Sequence, residues 1–287
     1  MSATFGRRGV LATALGVPLV VTAGSAAGAA GGGPRAAHGS VTGPDPRQAG
    51  DKLASLWFGM FVTRELQPGL LVNDRGYATM GFEPKPATLA GDYSTPEHRV
   101  GAFDPIRPWE SCLTITPPHW SWQPGRPHSD FTTVVKTLVA AAVGDGNLLL
   151  NVPPTKTGYL EDGVTATLRE VGQWMAEYGR EAIVGTHGGP YRASGIGGST
   201  YRGSTVYVHL TDDLRPARLR LPRLNARVRS VRTFDGRAVP YTEDEKGDLL
   251  LDLRTFTKST PDMILKLAVD RPLTVEFVTR TAIAWDS

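Results

Sequence analysis

"SDFTTVVKTLVAAAVGDGNLLLNVPP", residues 129–154, is the stretch that decides the fold. Ser129 or Asp130 stands as a helix N-cap, Val134, Val135, Leu138, Val139 and Ala142 recur at helical spacing, and Gly144 stops the run. The apolar run "NLLLNVPP" (147–154) follows at once and reads as a buried strand, because strands covered on both faces are near-continuously apolar. A helix feeding directly into such a strand is half of a right-handed crossover unit.

The same grammar repeats on either side. "GLLVNDR" (69–75) and "ESCLTIT" (110–116) are short apolar runs ending in polar residues, as in buried strands whose C-terminal ends are presented to a site. "EDGVTATLREVGQWMAEYG" (161–179) reads as a second helix, capped near Asp162, with Leu168, Val171, Trp174 and Met175 on one face and Gly179 at its end. Strand, helix, strand, helix at this spacing predicts a parallel sheet. After about residue 190 the helical period disappears. "STVYVHL" (204–210), "ARLRLP" (217–222), "ARVRSVRTF" (226–234), "DLLLDL" (248–253), "MILKLAV" (263–269) and "LTVEFV" (273–278) alternate or run apolar between turns such as "FDGR" (234–237), which predicts an antiparallel β-sandwich. The glycine-rich "RASGIGGSTYRGS" (192–204) reads as the boundary, with the second domain spanning 191–287.

The N-terminus reads as an export signal rather than structure. Arg7 and Arg8 precede an apolar run from Val10 to Val21 and then small residues, a twin-arginine-like layout over residues 1–30 that implies secretion. The run is shorter than the ~20 apolar residues a membrane span needs, so no stable membrane anchor is expected. Residues 31–50, rich in Gly, Ala and Pro, read as a linker. Cys112 is the sole cysteine, so the fold must hold by packing without an intrachain disulfide. A formal charge of +3 over 287 residues gives no reason to expect a nucleic-acid partner.

Chemistry-bearing motifs are few. There is no phosphate loop, no His/Cys metal pattern and no nucleophile elbow, so no metal and no cofactor is expected. The six histidines are scattered. What stands out is a set of carboxylates near strand ends, Asp74, Asp92, Glu97, Asp104 and Glu110, with Trp109, Trp120 and Trp122 close by. Glycoside hydrolysis needs two carboxylates about the scissile bond, and indole faces suit the apolar face of a sugar ring. Clustered tryptophan is more often the mark of a core.

Several of these segments carry a resemblance. "WESCLTI" (109–115) followed by "WSW" (120–122), "GDGNLLLNVPPTKTGYLEDG" (144–163) and "LREVGQWMAEYGREAIVGT" (168–186) resemble the closing part of the catalytic domain of glycoside hydrolase family 29, the alpha-L-fucosidases. "RELQPGLLVNDRG" (64–76) and "GDYSTPE" (91–97) are similar to earlier segments of the same domain. The resemblance implies an α/β fold with a (β/α)8 (TIM-like) barrel followed by a β-domain, and retaining hydrolysis of terminal alpha-L-fucose from a fucosylated glycan or glycoside. It also implies a glutamate acid/base downstream of an aspartate nucleophile.

The departures from the family pattern are internal. "FGMFV" (58–62) is similar to the family's first barrel strand, but "TRELQPG" (63–69), which belongs late in the barrel, follows directly. The segment between would carry the substrate-contacting histidines and the nucleophile, and no aspartate lies between Asp51 and Asp74. Residues 51–190 also fall short of the ~250 residues of a complete barrel. The expectation is an incomplete barrel with an open strand edge, in which Glu110, with Glu97 as the other candidate, serves as acid/base, and Trp109, Trp120 and Trp122 bind substrate. Glu110 is favoured because the neighbouring Trp109 indole would desolvate it; Glu97 could instead be an ordinary first-turn acid. Asp74 and Arg75 suggest a structural pair, and Asn151 suits either holding a loop or binding a substrate hydroxyl. Two functions remain open, a fucosidase impaired by the missing nucleophile and a non-catalytic remnant or carbohydrate-binding protein. The arginines at 215, 218, 220, 223, 227, 229 and 232 are either a solvated outer face or a contact for anionic glycans.

Overall fold

The computed structural model describes residues 62, 65–73, 92–104, 107–212, 217–274 and 281–286. The export signal, the linker, the "FGMFV" segment up to residue 61, Asp74, Arg75, Arg215 and most of "LTVEFV" lie outside the described residues.

The first half is a parallel sheet backed by helices. Strand β1 (Glu110–Thr114) pairs in parallel with β2 (Asn147–Asn151), Glu110 opposite Asn147 and Thr114 opposite Asn151. Helix α1 (Phe131–Val143) crosses between them. Asp130 caps it, accepting the Thr133 amide at 2.8 Å, and Gly144 closes it by donating to Ala140 O. Two extended segments continue the sheet beyond β1. Ser94 pairs with Trp109 and Glu97 with Cys112, while Asn73 pairs with Tyr93, all in parallel. Four tracks therefore lie side by side, 70–73, 93–97, β1 and β2, and among the described residues nothing pairs with the far edge of β2. Helix α2 (Asp162–Trp174) runs on through one π-helical turn, Met175–Gly179, into the short α3 (Arg180–Ala182).

The second half is built of strands. β3 (His187–Gly188), β5 (Gly197–Arg202), β6 (Thr205–Leu210), β11 (Met263–Val269) and β8 (Val228–Thr233) form one sheet in that order. β13 (Ala284–Asp286), β7 (Arg218–Leu221), β10 (Leu249–Asp252) and β9 (Tyr241–Glu243) form another. β4 (Tyr191–Arg192) pairs with β12 (Thr281–Ala282). Val206, Val208 and Leu210 of β6 point to Leu219, Leu221, Leu249 and Leu251 of the second sheet, and all are nearly or wholly buried. Tyr207, one residue out of phase, points the other way with Ile264 and meets Val135, Leu138, Val139 and Trp174 of the helices. The five-stranded sheet is thus covered on both faces. At about 1.5–3 kcal/mol for each buried aliphatic side chain, this helix-to-sheet seam is a main source of cohesion between the two halves.

The double coverage explains a departure from the sequence reading. Residues 192–204, read as a boundary loop, contain β5, whose first five residues are all buried. Its two glycines answer to two close approaches: a Cβ on Gly198 would stand 2.4 Å from Val143 Cγ1 of α1, and Gly197, at φ 147°, lies against the His209 carbonyl of β6. Such a strand carries no apolar period to read. Among the described residues no helix is long and apolar enough to cross a membrane.

Candidate active site

Side chains in register on parallel neighbours share a face. Glu110, Cys112 and Thr114 of β1 therefore share one face with Asn147, Leu149 and Asn151 of β2. Carried across Ser94–Trp109 and Glu97–Cys112, the same register sets Thr95 and Glu97 on that face as well. The opposite face, with Leu148 and Leu150, packs against the helices. Glu97 and Glu110, the two acids singled out by sequence, thus occupy one face on adjacent tracks, two positions out of step.

Their surroundings differ. Glu110 is half-buried, and burial pushes its carboxyl above the usual carboxylate range. It opens β1 rather than closing it, so about 13 Å of strand, at ~3.3 Å per residue, separates it from the loop that follows Thr114. Glu97 ends its track. Its side chain is 13% exposed, and Oε1 lies 3.7 Å from His98 Nε2. No helix starts after it among residues 98–104, which leaves no first-turn role. His98 takes a left-handed backbone, φ 57°, unusual for a side chain with a Cβ, and its ring leans on Trp120 at 5.3 Å between centroids.

The Trp120–Trp122 loop hangs from strand-end and helix-start side chains. Thr114 Oγ1 and Thr116 Oγ1 both donate to His119 O, at 2.9 and 3.1 Å. Asn151 Nδ2 donates to Trp120 O at 2.9 Å and to Thr114 Oγ1 at 3.1 Å, so Asn151 holds the loop. Glu161 stands at the N-cap of α2 but makes no capping bond; its carboxylate accepts Trp122 Nε1–H at 2.8 Å. His98 and Glu161 escaped the sequence reading. His98 had one signal, its place beside Glu97, whereas Glu161 had none, because its partner is 39 residues away. Asn151→Ala is expected to cost about 1–3 kcal/mol by stranding two polar partners, and limited proteolysis should then cut within residues 117–123 well before the rest of the chain.

Trp109 does not join this face. It is 4% exposed and its indole fills a slot under Gly101, Gly144 and Gly146, where a Cβ on Gly146 would stand 2.3 Å from the ring. The expectation of Trp109 as a sugar-facing wall is corrected to a core residue, since adjacent strand residues point to opposite faces. The desolvation of Glu110 likewise comes from burial, not from an indole lying over it.

The remaining acids have local roles. Asp92 Oδ2 accepts the Val72 amide at 2.8 Å, and Asp104 Oδ1 accepts that of Arg107 at 3.0 Å. Among the described residues no group of three or more His, Cys, Asp and Glu is placed to hold a metal ion. On the acid-bearing face Leu149 is 44% exposed, whereas Thr95, Cys112 and Thr114 are nearly buried. The face offers carboxylates as proton donors or acceptors and an indole rim.

Residues 47–180 match the family described as Alpha-L-fucosidase. The plasma alpha-L-fucosidase of Homo sapiens is 38% identical over 82 residues, 28% of this chain and 17% of that protein. Among solved structures, alpha-L-fucosidase isoenzyme 1 from Paenibacillus thiaminolyticus superposes with a TM-score of 0.63 at 26% identity, covering 77% of this chain and 55% of that one. A GH29 alpha-L-fucosidase from Bacteroides thetaiotaomicron, trapped as a covalent intermediate with 2-fluoro-fucosyl fluoride, superposes at 0.64 and 21% identity, covering 75% of this chain and 52% of that one, which speaks for the fold alone. The chain thus spans about a sixth of the curated plasma enzyme's length and about half of these solved ones.

Proposed function

We propose, from the premise that the chain is an alpha-L-fucosidase-like member of glycoside hydrolase family 29, that it recognises terminal alpha-L-fucose on glycans or glycosides at the face bearing Glu97 and Glu110, with retaining hydrolysis of that linkage impaired. The observation that carries this reading is the register that sets both glutamates on one sheet face, with Trp120 leaning on His98, the residue after Glu97. Support for a retaining course comes from the Bacteroides relative's trapped covalent intermediate. We read the parallel tracks as part of a (β/α)8 barrel, the two C-terminal sheets as a β-sandwich, and the N-terminus as a secretion signal.

Impairment follows from chemistry. A retaining glycosidase needs a carboxylate nucleophile about 5–5.5 Å from its acid/base. The family's nucleophile is an aspartate upstream of the "RELQP" region, and no aspartate lies between Asp51 and Asp74. The alternative, a carbohydrate-binding protein that never turns over, rests on the same absence.

The test pairs turnover with binding. Purified chain is expected to release no nitrophenol from 4-nitrophenyl alpha-L-fucoside yet to bind it by calorimetry, with Trp120→Ala weakening binding about 3- to 10-fold, the worth of one aromatic contact. Release that vanishes in Glu110→Gln or Glu97→Gln would overturn the impairment, and no binding at all would overturn the fucoside reading. A readout independent of turnover comes from Glu110 itself. Burial raises its folded-state pKa above the unfolded value, so its contribution to stability is complete below the unfolded pKa and is lost as pH rises through the folded one. Glu110→Gln should therefore flatten the melting temperature against pH across that window.

A further inference from the structure

The arginine-rich stretch read from the sequence is not one surface. Arg220 is held by Asp244, Asp286 and Asp248 at 2.5, 3.0 and 3.4 Å. Arg232 donates to Gly236 O at 2.9 Å. Arg218 faces Asp252, whose carboxyl is drawn down to about 2, mainly by its bonds from Arg254 and in smaller part by Arg218. Arg223 and Arg227 are differently placed. They line a groove of about 420 Å³ formed by residues 223–228, the turn 243–247 between β9 and β10, and Arg271.

The groove is built so that its cations stay available. The Arg223 backbone amide is pinned to Asp248 Oδ1 at 2.9 Å and that of Arg227 to Asp270 Oδ1 at 3.0 Å, which fixes where both side chains start. Asp244 is occupied by Arg220 and by the amides of Lys246 and Asp248, and Asp270 by Arg271. The side chains of Arg223, Arg227 and Lys246 form no ion pair among the described residues. Glu243 and Glu245 also stand on the wall. Among the described residues no aromatic side chain lines the groove to give a neutral sugar a platform to stack on. The volume falls within the about 300–1,000 Å³ of small-ligand sites.

Free guanidinium groups with free carboxylates between them suit a ligand that carries both anions and hydroxyl donors. We propose that this groove binds an anionic saccharide, one bearing sulfate ester or carboxylate groups. Arg223, Arg227 and Lys246 take the anionic groups, the guanidinium forks bidentately, and Glu243 and Glu245 accept ring hydroxyls. A nucleic-acid backbone, with few hydroxyl donors, would leave those two carboxylates without partners.

The experiment uses the purified full chain and isothermal calorimetry at low and at physiological salt. The probes are a sulfated heparin hexasaccharide, a carboxylated tetragalacturonate, the neutral maltohexaose and a short DNA duplex. Binding of the sulfated or the carboxylated probe is expected, whichever is tighter naming the anion. It should weaken as salt rises and fall at least tenfold in Arg223→Gln/Arg227→Gln, with the melting temperature unchanged because both side chains are exposed. Arg229→Gln, exposed on β8 outside the groove, should leave it unaltered. Equal binding of the neutral maltohexaose or of DNA, equal weakening by Arg229→Gln, or no binding of either anionic probe would overturn the proposal. None of these results depends on the fucoside site.

Discussion

Trp109→Ala is expected to lower folding stability by about 3–5 kcal/mol, the range for deleting a buried large aromatic side chain. The indole is 4% exposed, and it is the filler between three chain segments: the 101 turn, the start of β1, and the α1–β2 connection. Added Cβ atoms on Gly101, Gly144 and Gly146 would each fall within 2.8 Å of it, so the surrounding backbone is already as close as it can come and cannot collapse into the void. The converse substitution should behave accordingly. Gly146→Ala, with its Cβ 2.3 Å from the ring, is expected to cost about 1–3 kcal/mol by overpacking. Denaturant unfolding monitored by fluorescence measures both. Among the described residues the indole nitrogen has no hydrogen-bond partner, so Trp109→Phe should be tolerated far better than alanine. An unchanged stability in Trp109→Ala, together with weaker binding of an aryl fucoside, would instead make this residue a sugar wall.

His209→Ala is expected to cost a further and independent 3–5 kcal/mol or so, because it leaves a buried charge without its partner. His209 and Asp262 are both 0% exposed, Nδ1 to Oδ2 at 2.6 Å. On its other side Nε2 lies 3.1 Å from Thr200 Oγ1, and that hydroxyl donates its only hydrogen to Ala182 O at 2.5 Å. Nε2 must therefore be the donor to Thr200, and the proton between Nδ1 and Asp262 is shared within a pair that is neutral as a whole. The chain of bonds runs from β11's N-terminal side through β6 and β5 to the end of α3, joining the strand half to the helical half. His209→Ala leaves Asp262 buried with both carboxylate oxygens unmet, since Oδ1 already has no partner. The double substitution His209→Phe with Asp262→Leu should recover most of the loss, as apolar replacements of buried pairs often do. Thermal unfolding of the two single variants and the double, treated as a cycle, checks this; additive losses would refute the coupling.

The contrast between legible and hidden parts follows from the range of the forces involved. Helix α1 could be read because its cap, its apolar period and its stop lie within sixteen residues. β11 could be read because seven residues alternate or run apolar. β5 could not, since its Gly-Gly start answers to the approach of α1 at Gly198 and of β6 at Gly197 rather than to a local period. The candidate site divides in the same way. Glu97, Glu110, Trp120 and Trp122 drew notice by residue type, but Trp109 drew the same notice while facing the opposite side of the sheet. His209, passed over as one of several scattered histidines, proved to be paired with an acid 53 residues away.

By itself the sequence determined the alternation of helix and strand up to residue 190, the change to strands beyond it, the kinship with the alpha-L-fucosidases, and the absence of an aspartate between Asp51 and Asp74. These are matters of period, composition and order, which are properties of neighbours along the chain. Only the tertiary structure decided which face of β1 each side chain occupies, that Asn151 and Glu161 hold the indole loop, and that Arg223 and Arg227 line a groove while Arg220 is consumed by acids. Those outcomes depend on register and on contacts between residues far apart in sequence, where a shift of one position reverses every face.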